Sequence, residues 1–104
     1  MVENEFLDDA SLRKEVVKHL NSETFFFTRH AIEEQEKDGL DFKDVLHVLR
    51  YGSPDRKHSE FHNKSQAWRY GLKGKTEENK TVVVIISFKG KMMVITVFKI
   101  EKYK

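Results

Sequence analysis

The chain has 104 residues, 38% hydrophobic and 35% charged, with a formal net charge of +2 and no cysteine. Such a length and composition suit one globular domain over residues 1–104 and exclude a disordered chain, while the missing thiols exclude disulfides and thiolate metal sites. The nearly apolar stretches Val82–Phe88 and Met92–Phe98 are too short to span a membrane, and Met1-Val2-Glu3-Asn4-Glu5 lacks the basic and apolar regions of a signal peptide, so a soluble cytoplasmic protein is expected.

Leu7–Asn21 carries Leu12, Val16 and Leu20 at helical spacing. Asp8 is placed to cap this helix, Leu7 and Leu12 to staple it, and Lys14, Lys18 and His19 lie toward the end where the dipole favours cations. Thr24–Thr28, around Phe25-Phe26-Phe27, predicts a short strand that runs straight into the helical pattern Arg29–Lys37, with Thr28 as N-cap and Gly39 as stop. Arg29 and His30 then fall in the first turn, at the positive end of the dipole. Two potential cations there suit an anion such as phosphate, and a neutral imidazole suits proton transfer; the alternative is that both project into water. Asp41 caps a third helix with Asp44 in its first turn and Leu40 stapled to Val45. Phe42, Val45, Leu46 and Leu49 form its apolar stripe, His47 falls at the boundary, and Gly52-Ser53-Pro54 ends it.

After Pro54 the pattern alternates. His58–Asn63, with Phe61 as its one large apolar side chain, predicts an edge strand. Gln66–Lys73 predicts a second strand with Trp68, Tyr70 and Leu72 on one face and Ala67, Arg69 and Gly71 on the other. Gly74–Lys80 reads as a polar loop. The β-branched run Val82–Ile86 predicts a strand buried on both faces, and Lys89-Gly90 turns it into Met92–Phe98. The order predicts an α+β domain: two to three N-terminal helices on one face of a curved, mostly antiparallel sheet of four to five strands.

From Arg50 onward there are thirteen Lys or Arg against five acids, whereas the first ten residues hold four acids and no base. A basic half of this kind can bind a nucleic-acid backbone or can be a solvated lysine surface. His19, His30, His47, His58 and His62 contain no His-Glu-x-x-His pair. On a regular strand His58 and His62 would stand about 13 Å apart, too far for one ion, so neither a metal site nor a cofactor is expected. The chain also lacks a Walker phosphate loop and a Gly-x-Ser-x-Gly elbow. What remains suits metal-free phosphodiester cleavage, which needs a base for the 2′-hydroxyl, a cation for the phosphate and an acid for the leaving oxygen. His30 or His62 can be base or acid, Arg69 can grip the phosphate, Arg29 can assist from the helix end, and Tyr70 can supply a hydroxyl or a stacking ring. Lys64, Lys73 and Lys75 are the accompanying RNA-binding candidates. Trp68 shares a face with Tyr70, so both line a binding surface or both are core; the second case turns Arg69 to the opposite face.

Thr28-Arg29-His30-Ala31, Gly39-Leu40-Asp41-Phe42, Trp68-Arg69-Tyr70-Gly71 and Val94-Ile95-Thr96-Val97 follow one another in the chain. In these motifs it resembles a small bacterial and archaeal domain family of unknown function placed beside the RelE, BrnT and MqsR toxins, collinear with MqsR over Phe25–Phe98. The resemblance implies a RelE-like (microbial ribonuclease-like) fold and an mRNA-cleaving toxin, metal-independent, neutralised by a cognate antitoxin and acting on single-stranded or ribosome-associated RNA. MqsR has a lysine on the strand before its tryptophan strand, where this chain offers His62 or Lys64. It has glutamine after the tryptophan, where Arg69 stands, and a tyrosine early in the next strand, where this chain is aliphatic across Val82–Val84. The competing expectation is a non-catalytic RNA- or protein-binding domain on the same fold.

Overall fold

Each of the three helices among the described residues starts on a side-chain cap that satisfies an otherwise orphaned backbone N–H. In the computed structural model, which describes residues 5–100, helix α1 spans Asp9–Ser22, with the Asp8 carboxylate accepting from Ser11 N at 2.8 Å. The acidic start at 1–4 lies outside the described residues. Strand β1 (Phe25–Phe27) leads into α2 (Arg29–Lys37), where Thr28 Oγ1 accepts from Ala31 N and donates to Ile95 O. Thr28 N also donates to Val94 O, so one residue caps α2 and ties it to the last strand. Helix α3 (Phe42–Tyr51) has a reciprocal capping box between Asp41 and Asp44.

Strands β2 (Ser53–His62), β3 (Ala67–Lys75), β4 (Thr81–Lys89) and β5 (Lys91–Ile100) complete a five-stranded sheet of order β1-β5-β4-β3-β2. β1 runs parallel to β5 and the other pairings are antiparallel, so the sheet is mixed. β2 starts earlier than the alternation suggests and includes Pro54; as an edge strand it can carry a residue with no N–H to donate.

The helices share one face of the sheet. Tyr70, Leu72, Val82, Val84, Ile86, Met92, Val94 and Val97 form one buried cluster with Leu12, Val16, Leu20, Ala31, Leu40, Val45, Val48 and Leu49. Each fully buried aliphatic side chain contributes about 1.5–3 kcal/mol, so this layer supplies most of the driving force for folding. The stripe of α3 is corrected in one respect: Phe42 is 47% exposed and Val48 is buried in its stead. Phe42 is the first residue of the helix, and among the ring contacts of the described residues it meets Phe27 alone, at 4.9 Å between ring centroids.

Trp68 and Tyr70 belong to the helix-covered side. Phe6 lies against both rings, at 4.7 and 5.3 Å, and the Tyr70 hydroxyl accepts from Leu7 N at 3.0 Å while donating to Glu5 O. Burial pushes the Tyr70 phenol pKa up, against the opposing pull of the Leu7 N–H. Tyr70 therefore fastens the segment before α1 to the core. Tyr70→Phe should lower stability by about 1 kcal/mol in urea denaturation, because it strands the Leu7 N–H without its acceptor.

Candidate functional site

Among the described residues the other face of the sheet carries no helix, and its centre is shaped by an irregularity in β2. Asp55 pairs with Gly71 and Glu60 with Arg69, so the four residues 56–59 stand opposite Tyr70 alone. The ladder bond that this bulge would orphan is repaired by Ser59, whose hydroxyl donates to Asp55 O and accepts from Gly71 N. The bulge can lie this close to β3 because residue 71 has no side chain. A Cβ on Gly71 would stand 2.9 Å from His58 Cβ and 3.2 Å from Asp55 O. Glycine inside a strand commonly marks such an approach.

His58 consequently reaches over the open face. Its ring meets Phe98 of β5 edge-on, with centroids 5.4 Å apart, across the two intervening strands. Val83, on β4 in the same row as Phe98, is completely buried although it stands apart from the helix-side core. His58 Nδ1 donates to Asp55 Oδ2 at 2.7 Å, with the two side chains 29% and 14% exposed. An acceptor at Nδ1 leaves Nε2 as the nitrogen that can take or give a proton. Burial raises the Asp55 pKa, but the His58 hydrogen bond and charge, the Lys57 N–H and the charge of Lys73 outweigh it and hold the carboxyl below its ordinary 3.8.

Alternation along β3 turns Arg69, Gly71, Lys73 and Lys75 to this same side, at about 6.8 Å per pair of residues. Arg69 Nε is buried and finds no hydrogen-bond partner among the described residues. A guanidinium nitrogen left so is costly unless an incoming acceptor satisfies it. His62 pairs with Ala67 on the open side of β2, and its Nδ1 is hydrogen-bonded to Ser65 Oγ at 2.8 Å in the following turn, which also holds the exposed Lys64. Among the described residues no three His, Asp or Glu side chains gather as a metal site would require.

Five of the residues singled out from sequence are thus on or beside one surface: His62, Lys64, Arg69, Lys73 and Lys75. Three are not. Tyr70 is in the core with its hydroxyl engaged, on the opposite face from Arg69. Arg29 and His30 open α2, which follows the far edge strand and packs on the helix side; two strands separate β1 from β3. Both are exposed, Arg29 by 93% of its side chain with Glu33 at 3.8 Å, which matches projection into water. His30 and Arg69 do not share a site. The residues passed over are His58 and Asp55. Their signal was present in Asp55-x-x-His58 together with a glycine inside the β3 pattern, but reading His58–His62 as a regular strand hid it.

The depressed Asp55 pKa has a stability consequence of definite sign. Its contribution is present above the unfolded value near 3.8 and is lost as pH falls through the lower folded value. Urea melts should therefore show wild type losing more stability than Asp55→Asn between pH 5 and pH 3.

No curated protein and no solved structure matches the chain significantly. A family model described as a domain of unknown function, DUF4258, matches residues 27–99, from the last residue of β1 to the penultimate residue of β5. The chain belongs to the DUF4258 family.

Proposed function

We propose that the domain is a metal-independent endoribonuclease of toxin type that works on mRNA in the cytoplasm through the open face of its sheet. The observation that carries this reading is the Asp55–His58 hydrogen bond of 2.7 Å on a surface that also bears Arg69, Lys73 and Lys75. Asp55 fixes the imidazole tautomer and steadies the imidazolium once it forms. His58 Nε2 takes the proton of a ribose 2′-hydroxyl, O2′ attacks phosphorus, and the bond to O5′ breaks. The Arg69 guanidinium and Lys73 ammonium stabilise the charge on the phosphate oxygens during that displacement. His62, as an imidazolium whose Nδ1–H donates to Ser65 Oγ at 2.8 Å, gives its Nε2 proton to O5′ and becomes the neutral ring, leaving a 2′,3′-cyclic phosphate and a 5′-hydroxyl.

The RelE and MqsR resemblance of the sequence supports the toxin assignment and a cognate antitoxin as partner. A second reading is favoured by the packing of His58 on Phe98, which gives the histidine a structural role of its own. In that reading the face binds RNA or a protein without cleaving anything.

The two separate on single-stranded RNA incubated with pure protein in chelator, with and without ribosomes. Catalysis predicts cyclic-phosphate products and a loss of about 100-fold or more in His58→Ala, a smaller loss in Arg69→Ala, and an unchanged rate in His30→Ala. Intact RNA in both incubations, with binding that weakens steeply as salt rises, would instead establish the non-catalytic RNA-binding module.

A further inference from the structure

The two edges of the sheet are unequally protected. β2 carries Pro54, a bulge and the charged residues Asp55, Arg56, Lys57 and Glu60, devices that keep a further strand from pairing with an edge. β1, at the opposite edge, is Phe25-Phe26-Phe27, flanked by Thr24 and Thr28, with no charge, proline or register shift. Helix α2 leaves β1 to pack on β5, and among the described residues no strand pairs with the outer side of β1.

The direction of its backbone groups follows from the bonds to β5. Thr24 O accepts from Met92 N at 3.0 Å, and Thr28 N donates to Val94 O at 2.9 Å. In a parallel pair every second residue turns its N–H and C=O to the neighbour, so Thr24, Phe26 and Thr28 face β5 while Phe25 and Phe27 turn both groups outward. The side chains divide between the two faces. Phe25 and Phe27 pack on the helix-side core, and Phe26, 45% exposed, lies on the open face. An unpaired, uncharged edge with aromatic side chains on both faces is a template for another strand.

We propose that this edge joins a second copy of the chain, β1 pairing antiparallel with β1 about a two-fold axis at Phe26, so that two five-stranded sheets become one continuous sheet. That axis sets Phe25 of each copy against Phe27 of the other, the residues whose backbone groups point outward, and closes about four hydrogen bonds. Phe26 meets Phe26 as the pair without hydrogen bonds, in which Cα atoms approach to about 4.5 Å and side chains are closest. Phe25 of the second copy comes beside Phe27 and the exposed Phe42 that touches it. The same register sets Glu23 of each copy against Arg29 of the other. Both residues are exposed, and Arg29 holds Glu33 only at 3.8 Å, beyond hydrogen-bond reach. Opposite charges at the two ends of the contact fix its register. The edge is thus complementary to itself in backbone groups, rings and charges, which is what a two-fold contact requires and an unrelated strand does not supply. His58 and Arg69 take no part in it, so this inference and the reading of the open face fail separately.

A contact this small gives a weak dimer, so sedimentation of the full chain is measured from about 10 μM to about 1 mM. A dimer should grow with concentration, and the Phe25 and Phe27 amides should gain protection from hydrogen exchange in step with it. In a mixture of isotope-labelled and unlabelled chains, intermolecular NOEs should connect Phe25 with Phe27. Phe26→Asp, which places two like charges at the axis, should weaken dimerisation about tenfold or more while amide NMR spectra stay those of the folded protein. Glu23→Lys and Arg29→Glu should each weaken it, and the two together should restore it. A monomer at every concentration overturns the proposal and leaves the edge to a strand of another protein. A dimer indifferent to Phe26→Asp, or one that the double charge exchange fails to restore, overturns it too.

Discussion

The missing side chain at Gly71 is the constraint on which the open face depends. It lets four residues of β2 fold over a neighbour that is one residue long, and it sets His58 above the middle of the sheet. Without the bulge, strand alternation alone would decide where His58 and Asp55 point. With it, they share a hydrogen bond, and Ser59 replaces the backbone partner that Gly71 would otherwise lose. Local irregularity and chemical potential thus coincide in one short segment, as is common where bulges sit next to functional groups.

The two faces of the sheet divide the work between them. The helix side buries a continuous aliphatic layer and is closed by capped helices, Thr28 anchoring α2 to β5 and Tyr70 anchoring the segment before α1. That leaves the cationic residues of β3 on the side where no helix competes for space. A buried guanidinium nitrogen there, without a partner among the described residues, is a standing cost to the fold, of the kind that proteins tolerate where an acceptor is to be received. The same division removes Tyr70 from any chemistry on the open side and gives it a structural role.

Much of the architecture was legible in the sequence because it rests on local signals. The caps Asp8, Thr28 and Asp41, the β-branched strand Val82–Ile86, the Lys89-Gly90 turn and the split of β3 into a Trp68-Tyr70-Leu72 face and an Arg69-Gly71 face all follow from propensity and period. The parallel pairing of β1 with β5 was not legible, since it joins residues far apart in sequence and a three-residue strand carries no register information. The site was half legible. Arg69, Lys73 and Lys75 were found because alternation puts them in one row, whereas His58 was missed because a bulge breaks the period from which its direction would be read. The Arg29-His30 turn is electrostatically unusual, but an exposed cation such as Arg29 costs a solvated helix end little, about 0.3–1 kcal/mol.

The proposal that the open face, with His58 at its centre, is the functional surface can be checked by backbone amide NMR shifts on addition of a short single-stranded RNA with 2′-methoxy groups, which cannot be cleaved. The largest shifts should fall on Asp55, His58, Arg69, Gly71 and Lys73. Shifts concentrated on Arg29, His30 and the rest of the first turn of α2, with β2 and β3 unmoved, would contradict it.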